Sequence, residues 1–150
     1  MEISLRLAGS GDLQAVYEIR RAAIPGISSA EFSPAELQAW ADKRSPEYFL
    51  PMLEQRLLVI AEREGAAIAW GSSAEDKIEG LYVCPSAGRA GVGRRLMAHL
   101  ENEIARRGGY EVVHLAASLN AASFYEELGY LKTRPESVGQ AFHRQKERLP

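Results

Sequence analysis

Apolar residues recur along this chain in two rhythms: every second position in short runs, and every third or fourth in longer ones. Ile3 to Leu7 alternates apolar and polar side chains and predicts a strand. Ser10-Gly11-Asp12 opens a helix in which Leu13, Val16, Tyr17, Ile19 and Ile24 make a broad apolar face, and Pro25-Gly26 stops it. Ser33-Pro34-Ala35-Glu36 has capping-box spacing with proline at the first helical position, so a short helix carrying Leu37 and Trp40 follows. Ser45-Pro46-Glu47 predicts one more brief helical turn before Pro51. Leu57–Glu62, Ala66–Ser72 and Ile78–Val83 are strand candidates, the first two joined by a hairpin-like Arg63-Glu64-Gly65 turn.

Next comes a long helix with Val92, Leu96, Met97, Leu100 and Ile104 on one face. Arg106 and Arg107 occupy its last turn and Gly108 or Gly109 closes it. Val112–Ala117 is apolar almost throughout, the pattern of a central strand covered on both faces. Ser118 or Asn120 caps a short helix over Ala121–Leu128, ended by Gly129. Tyr130–Thr133 and Ala141–Leu149 are the last strands, separated by Arg134–Gln140. This order predicts an α+β fold, a single domain over residues 1–150 with a mixed, mostly antiparallel central sheet flanked by helices. Segment 25–53 is irregular and rich in aromatics (Phe32, Trp40, Tyr48, Phe49), and reads equally as the cover of a substrate pocket or as a lid over the core edge.

Composition narrows the function classes. The chain has 150 residues, 46% of them hydrophobic, enough for a real core. A net charge of −2 gives no general basic character, so no nucleic-acid partner is expected. Acidic residues outnumber basic ones before residue 80 and the balance reverses after it. A polyanionic cofactor on the second half and a cationic substrate facing the first fit that split, as does plain scatter over a solvated surface. The single Cys84 excludes an intramolecular disulfide and a multi-cysteine metal site, and reads as a small buried filler. No apolar run approaches the roughly 20 residues of a membrane span, so no membrane partner is expected and the expected location is cytoplasmic.

The chemistry concentrates at the start of the long helix. Gly88, Gly91 and Gly93 remove Cβ atoms where backbone amides open the helix, and Arg89 and Arg94 stand nearby. Arg94 and Arg95 lie in the first turn, where the helix dipole disfavours cations, a placement that an anion would complete. A P-loop is excluded because no Gly-Lys-Ser/Thr follows, and a Rossmann fingerprint fails because its third glycine falls on Leu96.

Two motifs taken together carry a resemblance. The loop Gly88-Arg89-Ala90-Gly91-Val92-Gly93 and the later run Ser118, Ala121, Tyr125 and Gly129-Tyr130 are similar to the two signatures of the GNAT superfamily of acyl-CoA-dependent N-acyltransferases. The similarity covers essentially the whole chain and is strongest from about residue 57 to 131. It departs at Gly88, where the family usually has Gln or Arg, and at Ser118, where it often has Asn; Arg89 and Asn120 are the natural substitutes. The resemblance implies a GNAT-like fold and acetyl-CoA as co-substrate. It also implies an amine-bearing acceptor and dimerisation as a common state, without metal or covalent enzyme intermediate. It implies further that backbone amides of Arg89, Ala90, Gly91, Val92, Gly93 and Arg94 hold the pyrophosphate. Backbone groups of Leu81, Tyr82 and Val83 would pair with the pantetheine arm like an added strand, with Ser118, Asn120 and Phe124 completing the cofactor site.

Acetyl transfer to an amine needs a neutral amine, a polarised carbonyl and a proton for the departing thiolate. Tyr125 occupies the position where the family places that acid; a phenol of pKa about 10 is protonated at neutral pH. Glu79, on the strand leading to the cofactor site, is the candidate base; alternatively it belongs to a solvated acidic edge. His114 reads as a hydrogen-bonded core residue, and His99 and His143 as exposed. Three rivals stay open: a non-catalytic CoA-binding or regulatory module, transfer of a longer acyl group, and a nucleotide-phosphate enzyme using the same anion site.

Overall fold

The computed structural model describes residues 2–25, 33–87, 91–110, 112–118, 122–135 and 141–146. The alternating segments become strands β1 (Ile3–Leu7), β2 (Leu58–Arg63), β3 (Ala66–Ala74), β4 (Lys77–Val83), β5 (Val113–Ser118), β6 (Leu131–Pro135) and β7 (Ala141–Lys146). They form one sheet in the order β1-β2-β3-β4-β5-β7-β6, antiparallel at every junction except the parallel β4–β5 pair. The α+β, mostly antiparallel expectation holds. Glu64 and Gly65 both have positive φ (53° and 79°), the backbone that a two-residue hairpin turn between β2 and β3 requires.

Helices α1 (Leu13–Ala23), α2 (Pro34–Ala41), α3 (Leu50–Glu54), α4 (Val92–Arg107) and α5 (Ala122–Glu127) cover the sheet. The capping box at α2 forms: Ser33 Oγ accepts from the Glu36 amide at 3.1 Å and Glu36 accepts from the Ser33 amide at 2.8 Å. Pro51 does not end the turn at Pro46–Phe49. It sits in the first turn of α3, where a missing N–H costs no helical bond. No helix of the described residues is long and apolar enough to cross a membrane.

Two apolar layers lie on the two sheet faces. On one, Leu96, Met97, Leu100 and Ile104 of α4 pack against Val59, Ala61, Ile78 and Leu115. On the other, Val16 and Ile19 of α1 meet Phe49, Leu58, Ile60 and Trp70. Successive residues of β2 therefore go to opposite layers, which is why Leu58–Ala61 is an unbroken apolar run. Gly71 lets α4 approach: a Cβ there would lie 2.8 Å from Leu100 Cδ1.

Two irregularities shape the molecule. Ser72 faces Gly80 across β3–β4 and Ser73 faces Ile78, so Glu79 has no opposite number and forms a bulge. Parallel pairing of β4 with β5 covers Lys77–His114 and Ile78–Leu115 and goes no further among the described residues. The two strands separate at the bulge. His114, His99 and Cys84 sit otherwise than the sequence pattern predicts. His114 is no core residue: its side chain is 40% exposed, with Nε2 3.7 Å from Asp76 Oδ2, because it lies at the start of β5 beside the β3–β4 turn. His99 is half-buried rather than exposed, 3.6 Å from Glu103 one turn on. Cys84 is half-buried, touching both apolar layers at the end of β4, and burial pushes its thiol up, away from nucleophilic character.

Candidate active site

The site begins where β4 leaves β5. From Glu79 to Val83 the β4 edge turned toward β5 has no ladder partner among the described residues, so its main-chain groups are open to a bound strand-like chain. Side chains divide between the two layers: Leu81 and Val83 join the α4 layer, whereas Tyr82 joins the α1 layer, its ring 4.9 Å from that of Trp70. Gly80 makes that stacking possible, since a Cβ would meet the Tyr82 ring at 3.2 Å and the Trp70 ring at 3.3 Å.

Val83 leads to the start of α4. The N-cap Gly91 has φ 76°, a left-handed backbone that suits glycine, and no side chain caps the helix. The first-turn amides are thus left without the usual side-chain acceptor, at the positive end of a 16-residue helix. The two first-turn arginines part ways. Arg95 donates to the main-chain carbonyl of Ile3, tying α4 to β1, and is spoken for. Arg94 is exposed, with Glu127 at 3.9 Å, a weak surface contact. A Cβ on Gly93 would stand 3.4 Å from Phe124 Cζ and 3.9 Å from Val83 Cγ2, so β4, the first turn of α4 and α5 meet at this glycine. Gly88, Arg89, Ala90 and Asn120 lie outside the described residues. Ser118 ends β5, opposite Ala141 of β7. Gly91→Ala is expected to destabilise the fold by about 1–2 kcal/mol through left-handed strain and to weaken CoA binding severalfold. Calorimetric titration with CoA beside a denaturant melt checks it, and unchanged values in both would reject this role for the cap.

Tyr125, the next member of the constellation, projects from α5 into the α4 layer and is 9% exposed. Its ring meets Phe124 edge-on at 5.1 Å and Tyr130 at 6.1 Å. Burial, and secondarily Tyr82, push its phenol up to about 12. Tyr130 is buried too and donates to Glu101 Oε2 at 2.6 Å; burial and that carboxylate hold its phenol well above the ordinary range. Glu101 is itself a buried side chain of α4, so this bond clamps the α5–β6 corner onto the helix.

Both phenols keep their protons after an unfolded chain would lose them. Their contribution to stability is full below pH about 10 and falls as pH rises beyond it. Phenolate absorbance is therefore expected to show two of the six tyrosines ionising only as the protein unfolds. Six equivalent titrations near pH 10 in the folded state would contradict it.

Glu79 is exposed on the bulge, at the mouth of the gap. Pattern reading missed Arg20, Ser72 and Glu101, and named Tyr130 only as the end of the second signature, not as the partner of Glu101. Arg20 left one signal: it lies four residues after Val16, so a charge falls on the apolar stripe of α1. Ser72 and Glu101 left none, because nothing local says that a serine or glutamate is to be buried.

A sheet split beside an uncapped glycine-led helix, with a phenol buried in the α4 layer, is a geometry suited to an anionic ligand with a long, strand-like arm. Residues 28–144 match the family model described as acetyltransferase (GNAT) domain, and the chain belongs to that family. No curated protein matches the sequence. Among solved structures, the GCN5-related N-acetyltransferase "Aminotransferase, Class-II" from Rhodopseudomonas palustris superposes with a TM-score of 0.89 at 26% identity, covering 98% of this chain and 96% of that one. The PaiA N-acetyltransferase of Thermoplasma acidophilum, solved with coenzyme A, gives 0.84 at 19%, covering 98% and 99%. The yncA protein of Salmonella typhimurium, solved with its cofactor acetyl-CoA, gives 0.65 at 22%, covering 98% and 94%.

Proposed function

We propose that residues 1–150 form one N-acetyltransferase domain that moves an acetyl group from acetyl-CoA directly to a primary amine. The observation that carries this is the separation of β4 from β5 after Ile78–Leu115, with Tyr125 buried beside it. The first-turn amides of α4, with Arg94 and the neighbouring Arg89 and Ala90, are assigned to the pyrophosphate. The open edge of Leu81–Val83 is assigned to the pantetheine arm, and Phe124, Ser118 and Asn120 to its flanks. An amide of the same strand end stabilises the oxyanion that forms as the amine attacks the thioester carbon. Collapse of that intermediate expels the CoA thiolate, and Tyr125 hands it a proton. A phenol near 12 is a weak acid, yet the burial that raises it also destabilises the thiolate beside it, which narrows the gap between donor and acceptor.

Glu79 is assigned the proton that the bound ammonium loses, directly or through water, before its nitrogen attacks. Glu79→Gln is expected to lower kcat about tenfold or more while sparing KM for acetyl-CoA. Unchanged kcat would leave amine deprotonation to solvent. Thiol release from acetyl-CoA, measured over a panel of amines, tests the whole reading. CoA binding with no thiol release from any amine would replace the enzyme by a binding module.

A further inference from the structure

Two neighbouring arginines of α1 have opposite surroundings. Arg21 is exposed and paired with Asp42 at 2.9 Å. Arg20 is 6% exposed, and its only polar partners among the described residues are main-chain carbonyls: Nη1 donates to Ala41 at 3.2 Å and Nη2 to Trp40 at 3.5 Å. Its guanidinium carbon lies 6.0 Å from the Phe49 ring and 5.9 Å from the Tyr82 ring. No carboxylate of the described residues pairs with it. A guanidinium shut in by aromatic walls is costly unless an anion or a full set of acceptors meets it. The carbonyls ending α2 supply part of this through the helix dipole, and the rest of the N–H fork meets no acceptor among the described residues.

A second polar group on the same sheet face is also unmet. Ser72 Oγ is buried with no hydrogen-bond partner among the described residues. Ser72 sits opposite Leu58 on one side and Gly80 on the other. Both belong to the α1 side, where Leu58 joins the apolar layer and Gly80 touches Trp70 and Tyr82. Directly opposed residues share a face, so the Ser72 hydroxyl lies on the sheet face that also carries Tyr82, whose ring Arg20 approaches at 5.9 Å, on the far side of β4 from α4. That region adjoins the bulge where β4 parts from β5.

We infer that the amine acceptor also carries a carboxylate, held by Arg20 with Ser72 as a further donor, so that this enzyme acetylates amino-carboxylate compounds. The inference rests on the acetyl-transfer reading above. It divides the acceptor into two ends: the ammonium goes to the mouth of the gap near Glu79 and the carboxylate goes inward past Tyr82. Arg20 is then a specificity determinant, and its carbonyl contacts are the device that keeps the fork oriented before the acceptor arrives.

The test uses matched pairs, each an amino acid and its amide, as acceptors for the whole 150-residue chain. The expected result is a kcat/KM for the carboxylate member about tenfold or more above that for the amide. Arg20→Met should erase the preference by raising KM for the carboxylate member while leaving CoA affinity unchanged. Arg20→Lys, which keeps the charge but loses the fork, should fall between, and it decides the matter if Arg20→Met fails to fold. Equal use of both members by the native protein, or a preference that survives Arg20→Met, overturns the inference. A second readout needs no turnover: calorimetric titration of the CoA-loaded protein with N-acetyl amino acids and their amides. Binding of the acids alone, lost in Arg20→Met, supports the carboxylate site even if no acceptor is acetylated, which would sink the catalytic reading instead. Binding of neither acid nor amide overturns the carboxylate site.

Discussion

Tyr125→Phe is expected to lower kcat by about 10²–10⁴-fold, the range that one positioned proton donor supplies. The substitution keeps the ring that packs on Phe124 and Tyr130, so the α5 corner and the α4 layer stay intact. KM for acetyl-CoA and the denaturant midpoint should therefore hardly move. What disappears is the hydroxyl proton, which burial retains up to about pH 12. One consequence for the pH profile is that Tyr125 contributes no alkaline limb below that value. Steady-state kinetics across pH on native and Tyr125→Phe protein check this and the fall in kcat, and an unaltered kcat would take Tyr125 out of the mechanism.

Trp70→Ala should be the most damaging change to stability, costing about 3–5 kcal/mol. The indole is 2% exposed, packs edge-on against Phe49 at 5.7 Å and lies against Tyr82 at 4.9 Å. Its Nε1 donates to the Val16 carbonyl at 2.9 Å, the one bond from this ring to α1. A domain of ordinary stability has about 5–15 kcal/mol in total, so the loss removes a large share. Trp70→Phe keeps most of the apolar contact and should cost about 1 kcal/mol, the worth of one hydrogen bond. Urea unfolding at constant m-value separates the two variants; equal costs would show that the bond, and not the ring, fastens α1. Because Trp70 backs Tyr82, the alanine variant should also blunt discrimination between acceptors before it affects CoA affinity.

Much of this molecule is readable along the chain. The alternation in Ile3–Leu7, the stripe Val92–Leu96–Leu100–Ile104 and the Ser33–Glu36 box each appear where expected, because each depends on groups within one or two turns of each other. Glycine at 91 was legible as a close-approach position, and the structure adds the reason, a left-handed backbone at the helix cap. The paired arginines were legible only as a pair. That Arg95 belongs to the carbonyl of Ile3 depends on β1 arriving at the start of α4, and no window of sequence contains both. Likewise His114 lies in an apolar run but is half out in solvent, since its neighbour is the β3–β4 turn carrying Asp76.

Sequence alone settled which segments are strands and helices, which glycines open the long helix, and which family the chain resembles. Those features arise from backbone sterics and from local partition between water and apolar surroundings. Tertiary structure alone decided that Glu79 bulges, that β4 and β5 part beyond Ile78 and Leu115, and that Arg20 and Ser72 are buried on one face. These are consequences of strand register and of helices closing over the sheet. A residue's burial is set by what arrives from elsewhere in the chain, and here that is what turns an ordinary arginine on an amphipathic helix into a group that calls for an anion.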